Sequence, residues 1–581
     1  MSENAESDAV TESESAVSTG PKMWIAVLIV VVNLTLIFSF LFLGSTNIEN
    51  IIGLGLVPLA STFLLVVWWM RSEGVPIRDR RIGLVLFLVI VGGITALHGA
   101  NGIYLLVVAL PILTTLIVLK LLLTFNRPWG MRRRLVVFVM ALWTVIFALV
   151  RVDAVGGDLI PLMAWRWSPP MAHEFAGAIT MASQPPADPI TLPAELAPED
   201  WPGFRGSDRD GRATVATFGT DWEANAPKEL WRRPVGLGWS SFTVIGDYIF
   251  TQEQRGDGEF VICYRADTGD EVWTNYIPAR FDDVTGSGPR ATPTYADGKL
   301  YVQGATGIIQ SLDASTGRTI WERNVGDDTG AALPPWGFAS SPLLVADKAI
   351  VFTGASEGKS VIAYDVTTGE PSWTAGDGSH GYGSGQLAEL GGVRQILMIS
   401  NFGIQSFVPE TGEQLWEHEW ELPSMARIAQ PQVIGDDTIV FGSIRLGVRS
   451  IRIAKSGDEW SVTEEWTTKK MRPYFNDIVH HEGYVYGYDG NRLKCLDAAT
   501  GELQWKGARF GGQVLLLPEM DMLLTITEKG NVVLVNASPE EYTVVAEFEA
   551  INGKTWNHPV VAHGRLFVRN AEEAACFELP R

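Results

Sequence analysis

The chain has 581 residues, of which 66 are acidic and 45 basic, giving a net charge of −21 with only 19% charged residues. Phosphate neutralisation needs a concentrated basic surface, so nucleic acid is excluded as a partner; three scattered cysteines, Cys263, Cys495 and Cys576, exclude a CxxC metal or redox site and a small disulfide scaffold. A mean hydropathy of +0.12 is high for so acidic a chain and implies two unlike parts averaged together.

Residues 1–22 hold five acids, many Ser and Ala, and Lys22, a composition too polar to bury a core, and are expected to form a disordered cytoplasmic tail. Five apolar segments follow, at 23–44, 51–70, 82–97, 102–125 and 135–150. Each is near the ~20 residues that cross hydrocarbon, with the third and fifth short. The loop after the second carries Arg71, Arg78, Arg80 and Arg81, and that after the fourth Arg127, Arg132, Arg133 and Arg134, whereas the loops at 45–50 and 98–101 have no Lys or Arg. By the positive-inside rule this alternation predicts a five-span domain at 23–152 with a cytoplasmic N-terminus and everything from residue 151 outside. Asn33, Thr35 and His98 are the polar exceptions, read either as a quinone or proton site or as interhelical hydrogen bonding. Residues 153–200, with eight prolines, read as a linker lying over the membrane.

Repetition begins after the linker. The segments ADTGDEVW (266–273), DASTGRTIW (313–321), DVTTGEPSW (365–373), PETGEQLW (409–416) and DAATGELQW (497–505) recur, with spacings of 48, 52, 43 and 89 residues between their tryptophans. Worn copies end at Trp466 and Phe548. Each period contains four strand-like segments, which is the signature of a propeller blade. The T-G supplies a tight turn before the outer strand, and the tryptophans are expected to pack between blades. The segment around Trp231 resembles an outer strand without inner partners, and residues 558–579 resemble three strands lacking a fourth. Joining them closes the ring and leaves no free edge; the outer strands count to eight blades, with seven as the competing count.

On these residues the chain resembles the quinoprotein-type family of pyrroloquinoline quinone (PQQ)-like repeat propellers. The repeat A-x-D-x-x-T-G-x-x-x-W looks like that family's tryptophan-docking motif, which catalytic dehydrogenases share with a non-catalytic outer-membrane assembly lipoprotein. DWPGFRGSDRDGR (200–212) and GPRATPTYADGKLYVQGATG (288–307) are similar to PQQ-like repeat proteins of planctomycetes. Five N-terminal spans before a propeller resemble membrane-bound quinoprotein glucose dehydrogenase. The resemblance implies a bacterial inner-membrane protein with its eight-bladed propeller (201–581) in the periplasm. The long insertions of the dehydrogenases are missing, and their catalytic Asp and calcium ligands have no aligned counterpart.

In such a ring, loops preceding the innermost strands converge at one mouth. Those loops bring Arg290, Trp336, His380, Arg427, Asn476, Trp556 and His558 forward as candidates for holding a cofactor. Arginines would pair PQQ carboxylates and a tryptophan would stack on its ring; Asp477 is the candidate catalytic base. No metal site is expected: His480 and His481 point to opposite faces of a strand, and SDRDG (207–211) lacks the later ligands of a calcium loop. The expected function is a membrane-anchored module binding an envelope protein, a glycan or a small ligand. The alternative is a PQQ- and calcium-dependent sugar or alcohol dehydrogenase that passes electrons to membrane quinone.

Overall fold

The computed structural model describes residues 23–43, 56–99, 102–155, 161–168, 181–214, 216–283, 285–423 and 425–581. The acidic tail and the loop at 45–50 lie outside these residues. The described chain separates into a helical unit and a β unit.

The helical unit contains α1 (Met23–Leu43), α2 (Val57–Arg71), α3 (Ile77–His98), α4 (Gly102–Leu123) and α5 (Trp129–Leu149). Helix α4 is apolar all round and packs against the other four, which buries Leu105, Ala109, Leu113 and Leu121, as an unstriped apolar helix requires. Helices α3 and α5 begin five and six residues earlier than the expected segments, at Ile77 and Trp129. The expectation stopped at the arginines, but a long side chain at a helix end keeps its charge in water while its stem and backbone continue the helix. Asp79 in the first turn of α3 accepts from the Trp129 indole at 2.6 Å and pairs with Arg133 at 3.2 Å, tying that turn to the start of α5. At the other end His98 Nε2 lies 3.0 Å from the Phe147 carbonyl, an interhelical hydrogen bond. Among the described residues, α3 is long and apolar enough to cross a membrane, and α1, α2 and α4 carry shorter apolar stretches.

The β unit is a ring of eight four-stranded antiparallel sheets. In the first blade the strands are Thr243–Ile245, Tyr248–Arg255, Gly258–Arg265 and Glu271–Ile277, and six more blades follow to Glu549. Closure is as expected: Lys228–Pro234 pairs with Glu573–Glu578 as the outer strand of the eighth blade. First strands of adjacent blades contact one another, so they line the axis.

The repeat motif explains how blades adhere. Six of the repeat tryptophans reach into the next blade: Trp231, Trp273, Trp321, Trp373 and Trp466 donate their indole N–H to the carbonyls of Ala266, Ala314, Val366, Pro409 and Ala498 at 3.0–3.2 Å, and Trp505 donates to that of Ser538 at 2.7 Å. For the first five, the T-G glycine of that next blade lies flat on the ring. A Cβ on Gly317, which sits at φ +71°, would stand 2.4 Å from Trp273. Glycine is required twice over, for its backbone angle and for its missing side chain. Trp416 faces the worn fifth blade, which has no T-G, and its indole turns to Gln395 of its own blade at 2.6 Å.

The proline-rich stretch corrects one expectation. Its described part, 181–200, is bound along the β unit rather than spanning as a linker: Gln184 exchanges backbone hydrogen bonds with Thr274, Ile190 donates to Ser315, and Asp200 accepts from Gly246 and lies 2.8 Å from His563. Proline sets extended backbone, but the residues between prolines keep donors and acceptors that a sheet edge can satisfy.

Candidate functional site

One residue just before or at the start of each first strand builds the neck of the ring. The backbone N–H of Ser241 donates to Thr292 Oγ1 (3.0 Å), that of Thr292 to Ser341 Oγ (2.9 Å), that of Ser341 to Ser384 Oγ (2.9 Å) and that of Ser384 to Gln430 Oε1 (2.9 Å). The chain continues from Gln430 to Asp477 (2.6 Å) and from Asp477 to Gln513 (3.4 Å). The Gln513 amide donates to the Trp556 carbonyl at 3.0 Å, and the Ser241 hydroxyl to the His558 carbonyl at 2.7 Å, completing the circuit. The side chains of Thr292, Ser341, Ser384, Gln430, Asp477 and Gln513 thus each satisfy a neighbouring blade's buried N–H.

The segment opening the propeller closes the axis on one side of this neck. Trp201 pairs with Val244, Tyr295 donates to the Pro202 carbonyl, and Gly211 and Ala213 pair with Leu516, so residues 201–213 cross from the first blades to the seventh. Arg209, 4% exposed, donates to the carbonyls of Ser341 (2.9 Å), Gly385 (3.1 Å) and Pro342 and to Thr294 Oγ1 (3.1 Å). Burial without a carboxylate partner depresses its pKa to about 9. Arg205 donates to the Ile478 carbonyl at 2.9 Å and pairs with Asp477 at 2.9 Å. Both arginines sit at positive φ, 61° and 57°, strain that their fully engaged guanidiniums hold in place.

On the other side of the neck a cavity of about 170 Å³ opens, and every one of the eight pre-strand loops lines it. Its wall is a chain of aromatic rings: Trp239–Trp556 (5.0 Å between centroids), Trp556–Phe475 (4.5 Å), Phe475–Tyr474 (5.6 Å), Tyr474–Trp336 (6.3 Å) and Trp336–Tyr382 (5.3 Å). All six are half-buried, which leaves aromatic surface facing the space. Phe204 of the crossing segment completes the lining, edge-on to His558 at 5.1 Å. The floor is polar: Thr292, Ser341, Ser384, Asp477, Gln513 and His558.

Of the sequence candidates, Arg290, Trp336, Asp477, Trp556 and His558 line this cup. His380 is exposed and faces a separate recess with Pro334, Pro335 and Phe352. Arg427 is fully buried against Trp420 (4.8 Å) and Phe441 (5.5 Å), and its backbone positions Tyr382 through a 2.9 Å bond. Asn476 is buried and donates to the Gly512 carbonyl. These three positions are corrected for one reason: loop residues on either side of the one facing the axis point away from it, and register could not be read to one residue. Trp239, Tyr382, Tyr474 and Phe475 were not singled out from the sequence. The signal was their recurrence as aromatics in the pre-strand loops, and a polar residue before proline (Thr292, Ser341, Gln430, His558) marked the neck.

Asp477 is a poor proton acceptor. One oxygen accepts from Gln430, the other contacts Arg205 at 2.9 Å and His558 at 2.8 Å. Burial pushes its carboxyl up, but Arg205 and His558 outweigh that and hold it at about 2. Arg290 lies over Phe281 at 4.5 Å and donates to the carbonyls of Gly286 (2.6 Å) and Gly288; burial lowers its pKa to about 10.

PQQ with calcium asks for several cations opposite three carboxylates and for two or more free oxygen ligands on the metal. The lining offers Arg290, whose guanidinium is already engaged, and among the described residues Asp477 is its only carboxylate. The donor set does not fit that cofactor. Elsewhere His481, Glu482 and Asp521 bring ligand atoms within 4.8 Å of one another, but His481 is already paired with Asp521 at 2.8 Å and both acids are exposed.

Fold and site therefore define an eight-bladed propeller with a sealed neck and an open aromatic cup. The repeat-family model described as outer membrane protein assembly factor BamB matches residues 220–375 and 336–507. The chain is 22% identical over 331 residues to the outer membrane protein assembly factor BamB of Shewanella oneidensis, covering 52% of this chain and 75% of that one. It is 25% identical over 243 residues to the tetrathionate hydrolase of Acidithiobacillus ferrooxidans and 30% over 183 residues to the lanthanide-dependent methanol dehydrogenase of Methylacidiphilum fumariolicum. These matches cover 38% and 29% of this chain and span 44% and 26% of those relatives. Among solved structures, BamB from Moraxella catarrhalis aligns with TM-score 0.46 at 15% identity over 61% of this chain and 100% of that one. A quinohemoprotein alcohol dehydrogenase from Pseudomonas putida aligns with TM-score 0.49 at 13% identity over 67% of this chain and 83% of that one. The chain carries a PQQ-like repeat propeller.

Proposed function

We propose that the protein is a membrane-anchored binding module whose aromatic cup takes up a component of the cell envelope, without catalysis of its own. The observation that carries this reading is the floor of the cup. Its one carboxylate is locked by Arg205 and His558, and among the described residues the lining brings no second carboxylate and no metal-ligand set beside it. The relatives named as outer membrane protein assembly factors support an envelope protein among the partners. The dehydrogenase alternative rests on relatives that the chain spans in small part, and the donor set weighs against it.

Five helices and the alternation of Arg-rich with Arg-free loops support five spans in a bacterial inner membrane, an N-terminus in the cytoplasm and the propeller in the periplasm. Full-length protein in detergent, supplied with PQQ and Ca²⁺ and assayed for dye reduction with sugars and alcohols, is expected to show no turnover; turnover would sink the reading. An alkaline phosphatase fused after Arg581 is expected to be active, and an inactive fusion would reverse the orientation.

A further inference from the structure

The cup combines two surfaces that select different parts of one ligand. Its wall is aromatic and half-exposed. Its floor carries three hydroxyls, on Thr292, Ser341 and Ser384, which are 1–2% exposed as residues. Each hydroxyl oxygen accepts the N–H of the preceding blade, and none of the three donates to an acceptor among the described residues. Beside them lies the Asp477 carboxylate, held ionised. Its oxygens are taken by Gln430, Arg205 and His558, so what the floor offers is an arc of unspent O–H donors.

Three ligand classes fail against this lining. A quaternary ammonium suits an aromatic cage, but the Lys554 ammonium already lies 3.6 Å from the Trp556 ring centroid and 5.2 Å from that of Trp239, and Arg290 adds a second positive charge. An aliphatic or aromatic side chain would fill the wall while sealing the three unspent hydroxyls from water without an acceptor, which costs more than the contact returns. A planar polyanion meets too few cations. A pyranose satisfies both surfaces, because its C–H faces are apolar and its equatorial hydroxyls are donors and acceptors at the edge. The cavity of about 170 Å³ has the scale of a single ring rather than a chain.

We infer that the cup is a carbohydrate site for one pyranose unit of an envelope glycan, stacked on the Trp336 and Trp556 walls with its hydroxyl edge on Thr292, Ser341 and Ser384. This rests on reading the cup as a binding site. Isothermal titration calorimetry of the full-length protein with the methyl glycosides of glucose, N-acetylglucosamine and glucuronic acid is expected to give saturable heat with at least one of them. Trp336→Ala and Trp556→Ala are each expected to weaken it about tenfold or more, as for an aromatic hot spot, with unchanged tryptophan-monitored unfolding of the propeller. Ser384→Ala, which removes one donor and no ring, is the second test if an aromatic variant unfolds; it is expected to weaken binding several-fold.

The inference is overturned if none of the three glycosides binds, if a folded Trp336→Ala or Ser384→Ala binds as well as the parent, or if tetramethylammonium binds more tightly than the sugars. A photo-crosslinker in place of Phe475 separates the two levels. Capture in cells of a polypeptide free of glycan overturns the carbohydrate assignment and leaves the binding module standing, whereas turnover with PQQ and Ca²⁺ removes the binding module itself.

Discussion

Two glycines with nearly the same backbone angle separate the contribution of tryptophan docking from that of the turn. Gly298 has φ +74° and nothing within 4 Å of where a Cβ would be, while Gly317 has φ +71° and would place that Cβ 2.4 Å from the Trp273 ring. Alanine at either position must adopt the left-handed conformation, at about 1–2 kcal/mol. At Gly317 it must also displace Trp273, which is 1% exposed and hydrogen-bonded to Ala314 at 3.2 Å. Forcing a methyl group into a filled core adds about 1–3 kcal/mol, and an indole N–H left without its acceptor adds about 1 kcal/mol more. Gly298→Ala is thus expected to lose about 1–2 kcal/mol and Gly317→Ala about 3–6 kcal/mol. Urea unfolding of the full-length protein, followed by tryptophan fluorescence at fixed detergent, measures both. Equal losses would refute the argument, because the turn would then account for everything and the glycine–tryptophan contact for nothing.

Arg209→Met should cost about 2–4 kcal/mol in the same assay, since it strands several buried acceptors at the neck; an unchanged midpoint would show that the crossing segment does not seal the axis. Two carboxyls give opposite pH effects. Asp477 titrates at about 2 in the folded chain against 3.8 ordinarily, so its contribution is complete above that ordinary value and is lost as pH falls toward 2; Asp477→Asn should flatten the acid limb of stability against pH. Glu259 is raised by burial to about 7 from 4.5, so its cost is absent below 4.5, grows as pH climbs from there and is complete above 7; Glu259→Gln should stabilise the protein at pH 8 and have little effect at pH 4. Cys263, Cys495 and Cys576 are free and buried, and burial raises their thiol pKa values, to about 12 for the last two; iodoacetamide at pH 8 should label none of them in the native protein and all three in urea, read by intact mass.

Much of the fold was legible in the residues because a blade is a local unit written eight times. The D-x-x-T-G-x-x-x-W period set blade boundaries, and the unpaired segment at Trp231 with three leftover strands at the end implied the closure seen between Lys228–Pro234 and Glu573–Glu578. Apolar run lengths located five helices, though not their first turns, because arginine tolerates a helix end. The worn fifth blade could be recognised as worn, but not that Trp416 would turn back to Gln395.

The cup was legible only as a set of loops. Its wall joins Trp239 to Trp556 across more than half of the chain, and its floor locks Asp477 with an arginine 272 positions earlier. Strand period and turn chemistry are properties of neighbouring residues, so the sequence by itself determined the blades and the tryptophans that pack between them, and narrowed their number to eight or seven. Which loop residue faces the axis depends on one-residue register and on the crossing segment 201–213, whose contacts exist only once the ring has closed. That is why tertiary structure alone decided that Arg427, Asn476 and His380 fall outside the cup, that Tyr382 and Phe475 fall inside it, and that Asp477 serves as a bound anion in its floor rather than as a base.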